Sequence, residues 1–351
     1  MFIMKIENDI KLDFNDVLFR PKRSTLNSRS EVQVEREFNF KHSGRSWTGV
    51  PIISSNMDTI SSVGMFKELS NKKFLTCFHK YIDTQDIIDV CNEGYDSKYF
   101  ILSTGITERD FENIQAQVAL LKSNNIETHF ICIDVANGYM FKLLEFCKKM
   151  RKAFPNITLI AGNVVTREIV EELIINGEID IIKVGIGSGA VCTTRLQTGV
   201  GMPQFSAVME CSDAAHGLNA MIISDGGICV PGDVGKAFGG GADFVMIGSM
   251  LAGHEECPGE SIEEDGKKYK LFYGMSSDTA MNKYHGGVAS YRSSEGKTVK
   301  VPFKGPVENT LNNLLGGVRS TCTYIGANRL KDINKCATFM RVNRQVNTFY
   351  K

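Results

Sequence analysis

Short apolar runs rich in β-branched residues recur along this chain at a regular interval. They begin near Val50 (VPIISSN), Phe74 (FLTCFH), Tyr99 (YFILSTG), His129 (HFICIDV), Ile157 (ITLIAGN), Ile181 (IIKVGIG), Ala220 (AMIISDGG) and Phe244 (FVMIGSM). Successive starts lie 24, 25, 30, 28, 24, 39 and 24 residues apart. The intervening segments change to helical spacing, with apolar residues at Phe111, Ile114, Val118 and Leu121 and similar stripes over 141–150 and 169–174. Strands apolar on both faces, alternating with helices, make a parallel sheet covered by helices. Eight such units predict an α/β fold, the closed (β/α)8 TIM barrel. A doubly wound open sheet is the competing arrangement, but it would bring only some of the strand ends to one crevice.

The strand ends sharpen the choice. Each run finishes in polar or glycine residues: Ser54-Ser-Asn-Met-Asp58, His79-Lys80, Ser103-Thr-Gly105, Asp134-Val-Ala-Asn-Gly138, Gly162-Asn163, Gly185-Ile-Gly-Ser-Gly189, Asp225-Gly-Gly227 and Gly248-Ser249. In a barrel all eight converge on one catalytic face. Two places break the rhythm: the sixth loop, 185–204, and a polar stretch over 251–307 whose alternation suggests a two-stranded ribbon. Loops this long are commonly lids. The expectation is one barrel domain over 1–351 with residues 251–307 as its active-site flap.

Composition narrows the class. The 351 residues carry equal numbers of basic and acidic side chains, 40 of each. This lacks the basic excess of nucleic-acid binders and of membrane-surface proteins. No apolar run reaches the ~18 residues of a membrane span, and the first residues lack a signal-peptide pattern, so a cytoplasmic location is expected. Ten cysteines include no Cys-x-x-Cys pair and no zinc-ligand spacing. Most are therefore expected to be small buried hydrophobes.

Chemistry concentrates in the sixth loop. Gly185-Ile-Gly-Ser-Gly-Ala-Val-Cys192-Thr-Thr194-Arg195 follows a strand directly, but its glycine spacing is not the dinucleotide fingerprint. Cys192, flanked by hydroxyls and an arginine, is the best nucleophile candidate of the ten. Asp225-Gly-Gly and Gly248-Ser249 end strands seven and eight, where barrels commonly hold a phosphate, although such glycines also serve ordinary tight turns. His79 reads most simply as a satisfied core histidine, and Lys80 as a strand-end cation. Glu295 looks by its local sequence like a surface carboxylate.

Together these segments resemble the IMP dehydrogenase/GMP reductase family. The resemblance rests on Gly185 to Arg195 with Thr198-Gly-Val-Gly-Met-Pro-Gln204, on Asp13-Phe-Asn-Asp-Val17 and Ser55-Asn-Met-Asp-Thr59, and on Asp134 to Gly138, Asp225 to Gly227 and Tyr273-Gly-Met275. It runs from about residue 10 to 345. Two features resemble the reductase branch. Only residues 81–98 separate strands two and three, where dehydrogenases usually insert a regulatory domain. The flap reads Asn282-Lys-Tyr284, where dehydrogenases place an Arg-Tyr pair, and Tyr291-Arg-Ser-Ser-Glu-Gly-Lys297 resembles the reductase signature.

The resemblance implies NADPH-dependent reductive deamination of GMP to IMP and ammonia by a homotetramer. Oxidation of IMP to XMP and a catalytically silent GMP-binding barrel are the alternatives. It implies Cys192 as nucleophile, Thr194 and Glu295 as proton relay, and Lys80 either in the deamination step or in positioning the cofactor. Asp225 would hold the ribose of the substrate. Gly226, Gly227, Gly248, Ser249, Gly274 and Ser276 would surround its phosphate, while Met275, Arg292, Ser293, Ser294, Glu295 and Gly296 would contact its base. The implied cofactor contacts are Ser28, Arg29, His79, Asp134, Val135, Ala136, Ile186, Gly187, Met275, Tyr291, Arg292, Ser320, Thr321, Cys322 and Thr323. A monovalent cation, potassium by resemblance, would sit among Gly187, Gly189 and Cys192, with Arg195 closing the loop. Two positions depart from the family pattern: Ser188 stands where proline is usual and Ala190 where serine is usual. The first change predicts a looser loop, the second a weaker hold on phosphate.

Overall fold

The computed structural model describes residues 5–259, 261–287, 290–291 and 293–343. Eight parallel strands close into a barrel: β1 (Ile52–Ser54), β2 (Leu75–Cys77), β3 (Phe100–Thr104), β4 (Phe130–Asp134), β5 (Thr158–Val164), β6 (Ile181–Val184), β7 (Met221–Asp225) and β8 (Phe244–Ile247). Each pairs with the next, and β8 returns to β1 through Val245–Ile52, Met246–Ile53 and Ile247–Ser54. The observed starts lie within two residues of those read from the apolar runs. The barrel strands are almost wholly buried because their outer faces lie under helices. These helices include α1 (Val63–Asn71), α2 (Thr84–Asn92), α3 (Glu108–Ser123), α4 (Phe141–Ala153), α5 (Arg167–Ile175), α6 (Gln204–Gly217), α7 (Pro231–Gly239) and α8 (Glu308–Ile325). Thr107 caps α3 by accepting from the Asp110 N–H, and Asp83 caps α2 through Gln85. Among the described residues, no helix is long and apolar enough to cross a membrane.

One end of the barrel is plugged. A hairpin of Arg36–Asn39 and Ser46–Gly49 drives Phe38, Phe40 and Trp47 against Phe244, Phe130 and Tyr99. Phe244 and Phe130 are the first residues of β8 and β4, so the plug fills the N-terminal mouth and leaves the C-terminal mouth as the way in. A buried ion pair braces the same end: Arg151 lies 2.7 Å from Asp180, whose carboxylate also accepts backbone N–H groups of His42, Ser43 and Leu159. An early segment and a late one also meet, where Val17–Phe19 pairs antiparallel with Phe339–Arg341.

After β8 the long insertion differs from the expected two-stranded ribbon. It is a three-stranded antiparallel sheet of Ser261–Glu264, Lys267–Tyr273 and Thr298–Pro302, with a helix, Asp278–His285, between the last two strands. Asp265 and Gly266 have positive φ (49° and 69°) and make the tight turn between the first two. The third strand returns from far along the chain and pairs Thr298 with Tyr273, a partnership that local alternation does not reveal.

Candidate active site

The catalytic-face loop after β6 is held at both ends by the N-terminal segment. Asp13 accepts from the Gln204 backbone N–H at 2.6 Å and from Arg195 Nη1 at 3.1 Å. Arg195 Nη2 also donates to the Met202 carbonyl at 2.8 Å. The arginine stem lies against Gly187 (φ +77°), where a Cβ would come within 2.7 Å of Arg195 Cγ. Only glycine serves there. Ser188 does not leave the loop untied: its hydroxyl donates to the Asp225 carbonyl at 3.2 Å and its carbonyl accepts from Gly227 N–H at 2.9 Å.

Cys192, Thr194 and Glu295 form a continuous hydrogen-bonded chain. The thiol donates to Thr194 Oγ1 at 3.1 Å, and Thr194 Oγ1 donates to Glu295 Oε2 at 2.8 Å. Glu295 arrives from 101 residues away because the flap pairs with the loop backbone. Thr193 N–H donates to the Glu295 carbonyl at 2.8 Å, Lys297 N–H to the Val191 carbonyl at 2.9 Å, and Glu295 N–H to the Ser276 carbonyl at 3.1 Å. All ten cysteines are free; Cys192 is half-buried, whereas Cys77, Cys132, Cys147, Cys211, Cys257 and Cys322 are buried.

This chain borders a cleft of about 970 Å³ open to solvent. Asp134, Val135, Ala136, Ile186, Gly187 and Gly189 line it with Cys192 and Thr194, as do Asp225, Gly226, Gly274, Met275, Ser276 and Glu295. Sequence reasoning missed Asn56, Asn163 and Lys183, which also line it. Lys183 sits 2.7 Å from Asp134 and 2.8 Å from Asp225. Burial alone would lower the lysine, but the two carboxylates outweigh it and hold it well above its ordinary value. Burial likewise opposes the charge on Asp134, yet Lys183 and Asn56 keep its carboxyl below the usual range. A lysine inside the apolar run IIKVGIG was the available clue, since a buried cation requires partners.

Several expected residues lie elsewhere. Gly227, Gly248 and Ser249 are not among the residues lining the cleft, although Gly248 lies against Ser55 and Met57, which are; the Gly227 amide is engaged by Ser188, and the Ser249 hydroxyl donates to the Ile228 carbonyl at 3.3 Å. Ser294 donates to the Gly296 carbonyl at 3.0 Å, and Gly296 bridges to Cys192 and Ser277, so both shape the flap edge. Ser293 and Tyr291 are exposed, the latter at 87%. Arg292 lies outside the described residues. Lys80 is held by Asp110 at 3.2 Å and lies over the Tyr81 ring. His79, whose imidazole burial pushes below its ordinary pKa, accepts from Tyr81 N–H at 3.3 Å. Ser28, Arg29 and Thr323 line a separate groove. Ser320 accepts from the Thr323 hydroxyl at its backbone carbonyl, and Thr321 packs against Gly235 of α7. Cys322 is fully buried in α8, and burial pushes its thiol up to about 12.

The flap helix is fastened to the barrel face at Asp58. One carboxylate oxygen accepts from Tyr273 at 2.8 Å, Lys283 at 2.8 Å and Tyr284 at 2.6 Å, while the Tyr284 ring stacks on Tyr81 at 3.8 Å. Burial would raise the Asp58 carboxyl, but these three donors hold it below the usual range.

The IMP dehydrogenase / GMP reductase domain model matches residues 11–347. The chain is 57% identical over 350 residues to a GMP reductase of Klebsiella pneumoniae subsp. pneumoniae, covering 99% of each chain. It is 56% identical over 349 residues to GMP reductases of Escherichia coli strains O139:H28 and O157:H7, again with 99% of each covered.

Proposed function

The chain belongs to the IMP dehydrogenase/GMP reductase family, and from that premise we propose that it is an NADPH-dependent reductase converting GMP to IMP and ammonia. Full-length similarity to reductases supports this branch. The observation that carries the chemistry is the Cys192–Thr194–Glu295 chain at the cleft.

A purine C2 bearing an amine is a poor electrophile with a poor leaving group, and the three side chains address both difficulties. The thiol proton passes through Thr194 Oγ1 to Glu295, and the thiolate adds to C2. The same proton returns through Thr194 to the exocyclic amine. The C2–N bond then breaks, ammonia departs, and the purine stays bonded to Cys192. NADPH, when bound, supplies the hydride that ends on C2. The C2–S bond breaks in that step, C2=N is restored, and Cys192 leaves as thiolate to take a proton from water.

The cleft offers side chains suited to both nucleotides. Asp225, 22% exposed, offers a carboxylate to the substrate ribose, and Asp134, 32% exposed, offers one to the cofactor ribose. Val135, Ala136 and Ile186 give an apolar wall suited to a nicotinamide ring. Gly226, Gly274 and Ser276 are the phosphate candidates and Met275 the base contact. Backbone carbonyls of Gly187, Gly189 and Cys192 would hold a monovalent cation. The Gly189 carbonyl accepts from Cys192 N–H at 3.0 Å and keeps a second lone pair. Arg195 clasps the loop through its side chain, between Asp13 and the Met202 carbonyl. The reading extends to one barrel domain whose lid is 251–307, acting in the cytoplasm as a homotetramer. The separate groove of Ser28, Arg29 and Thr323 would complete a neighbour's cofactor site.

The decisive experiment supplies GMP with NADPH in one vessel and IMP with NAD⁺ in another. Equal yields of IMP, ammonia and NADP⁺ in the first are expected. XMP from the second, with no turnover in the first, would identify an IMP dehydrogenase. Tight GMP binding with neither product would identify a silent binding barrel.

A further inference from the structure

Lys183 occupies an unusual place. It lies within β6 between Ile182 and Val184, its side chain is 3% exposed, and yet its ammonium reaches the cleft floor. Asp134 ends β4 and Asp225 ends β7, so one cation joins carboxylates delivered by strands on either side of it. The room for its stem comes from Gly162 on the neighbouring β5, where a Cβ would lie 2.7 Å from Lys183 Cβ. Each carboxylate also receives one side-chain amide: Asn56 donates to Asp134 Oδ2 at 2.8 Å, and Asn163 to Asp225 Oδ2 at 2.9 Å. The floor thus carries two negative charges against one positive charge, and the balance fails if either side is altered.

We propose that Lys183 is a positioning residue that couples the two nucleotide half-sites, sharing its charge between Asp225 on the substrate side and Asp134 on the cofactor side. This rests on the assignment of those two carboxylates to the two riboses. Purine C2 and the hydride donor must meet within contact distance, and a misplacement of about 1 Å can cost on the order of 100-fold in rate. A single ammonium held at 2.7 and 2.8 Å fixes the separation of the two anchors directly. Without it, two carboxylates share one site as like charges, and one of them retains a proton into the neutral range.

The test uses the full chain and reads binding by calorimetry, with GMP and with NADP⁺, between pH 6.5 and 8.5. Lys183→Met is expected to weaken GMP binding by about 10- to 100-fold, with a pH dependence beyond the one that the nucleotide's own phosphate gives the parent protein. Adding Asp134→Asn to that variant removes the like-charge partner. GMP affinity should then return to within about threefold of the parent and lose that added pH dependence, whereas NADP⁺ binding stays weak. Asp134→Asn alone guards against a variant that fails to fold: it leaves the whole lysine charge to Asp225. GMP should then bind at least as tightly as in the parent, with NADP⁺ about tenfold weaker. Parallel, pH-independent losses of both ligands in every variant, with no rescue in the double variant, would reduce Lys183 to a structural role and overturn the proposal. A parent protein that binds GMP without turning it over would remove the reductase reading alone. One that binds no GMP would overturn both.

Discussion

Replacing Glu295 by glutamine separates the two halves of the proposed reaction. The substitution keeps the side chain's size, and its amide oxygen can still accept from Thr194, which donates to Glu295 at 2.8 Å. The ground-state loss is that of a charge-assisted bond becoming a neutral one, about 1 kcal/mol, or roughly fivefold in binding. The amide cannot take the thiol proton or return it to the amine. General acid–base assistance is worth about 10²- to 10⁴-fold, or about 3–5 kcal/mol of barrier. That loss falls on C2–N cleavage, whereas hydride movement between cofactor and the Cys192-bound purine needs no proton from Glu295. The assay compares single-turnover ammonia release from GMP with exchange of a deuterium label between cofactor and IMP. Ammonia release should drop 10²- to 10⁴-fold and label exchange by less than about tenfold. Equal losses in both would refute the division of labour.

Three further outcomes follow from particular contacts. Ala190→Ser restores a hydroxyl to the catalytic loop and should tighten GMP binding by about 0.5–1.5 kcal/mol, roughly two- to twelvefold; unchanged affinity in calorimetry would remove Ala190 from the account. Asp58→Asn neutralises the oxygen that fastens the flap. With the half-exposed Lys283 discounted, weakening two tyrosine bonds by about 1–1.5 kcal/mol each should raise flap opening roughly 30- to 150-fold, read as faster proteolysis within 261–287. Since the folded-state Asp58 carboxyl is held below its ordinary value, the parent's flap protection should persist down through about pH 4 and fail only as pH drops through the depressed pKa. Protection already lost between pH 6 and 5 would contradict this. Asp180→Ala leaves Arg151 charged, buried and without its carboxylate, and should cost about 3–5 kcal/mol in denaturant unfolding; a loss below about 1 kcal/mol would mean that the carbonyls of Phe154, Pro155, Ile157 and Glu178, which already accept from Arg151, suffice to hold it.

Much of this molecule was legible in its sequence because barrel strands announce themselves. A run such as FICID is apolar on both faces and ends in a polar residue, and Asp134 is found where that pattern puts it, at the mouth of β4. The plug of Phe38, Phe40 and Trp47 was not legible, because its purpose depends on the open N-terminal mouth that the other strands create. Glu295 shows the same limit within the site. Its neighbours in sequence include Ser293, Ser294 and Lys297, which look like ordinary surface residues. It reaches Thr194 only because Thr298–Pro302 pairs with Lys267–Tyr273 and the flap backbone pairs with the cysteine loop. Lys183 was visible as a lysine among apolar residues, but its two partners lie 49 and 42 residues away in the chain. Asp58 likewise gathers donors from a flap more than 200 residues downstream.

The central claim is a purine bonded to Cys192 on the way from GMP to IMP, and peptide mass spectrometry of protein quenched in acid during turnover tests it most directly. The account predicts a nucleotide adduct on the peptide containing Cys192, with the mass of GMP less ammonia. The adduct should be absent from Cys192→Ala, which should also show no reduction of GMP. Undiminished turnover in Cys192→Ala, or an adduct on another cysteine, would contradict it.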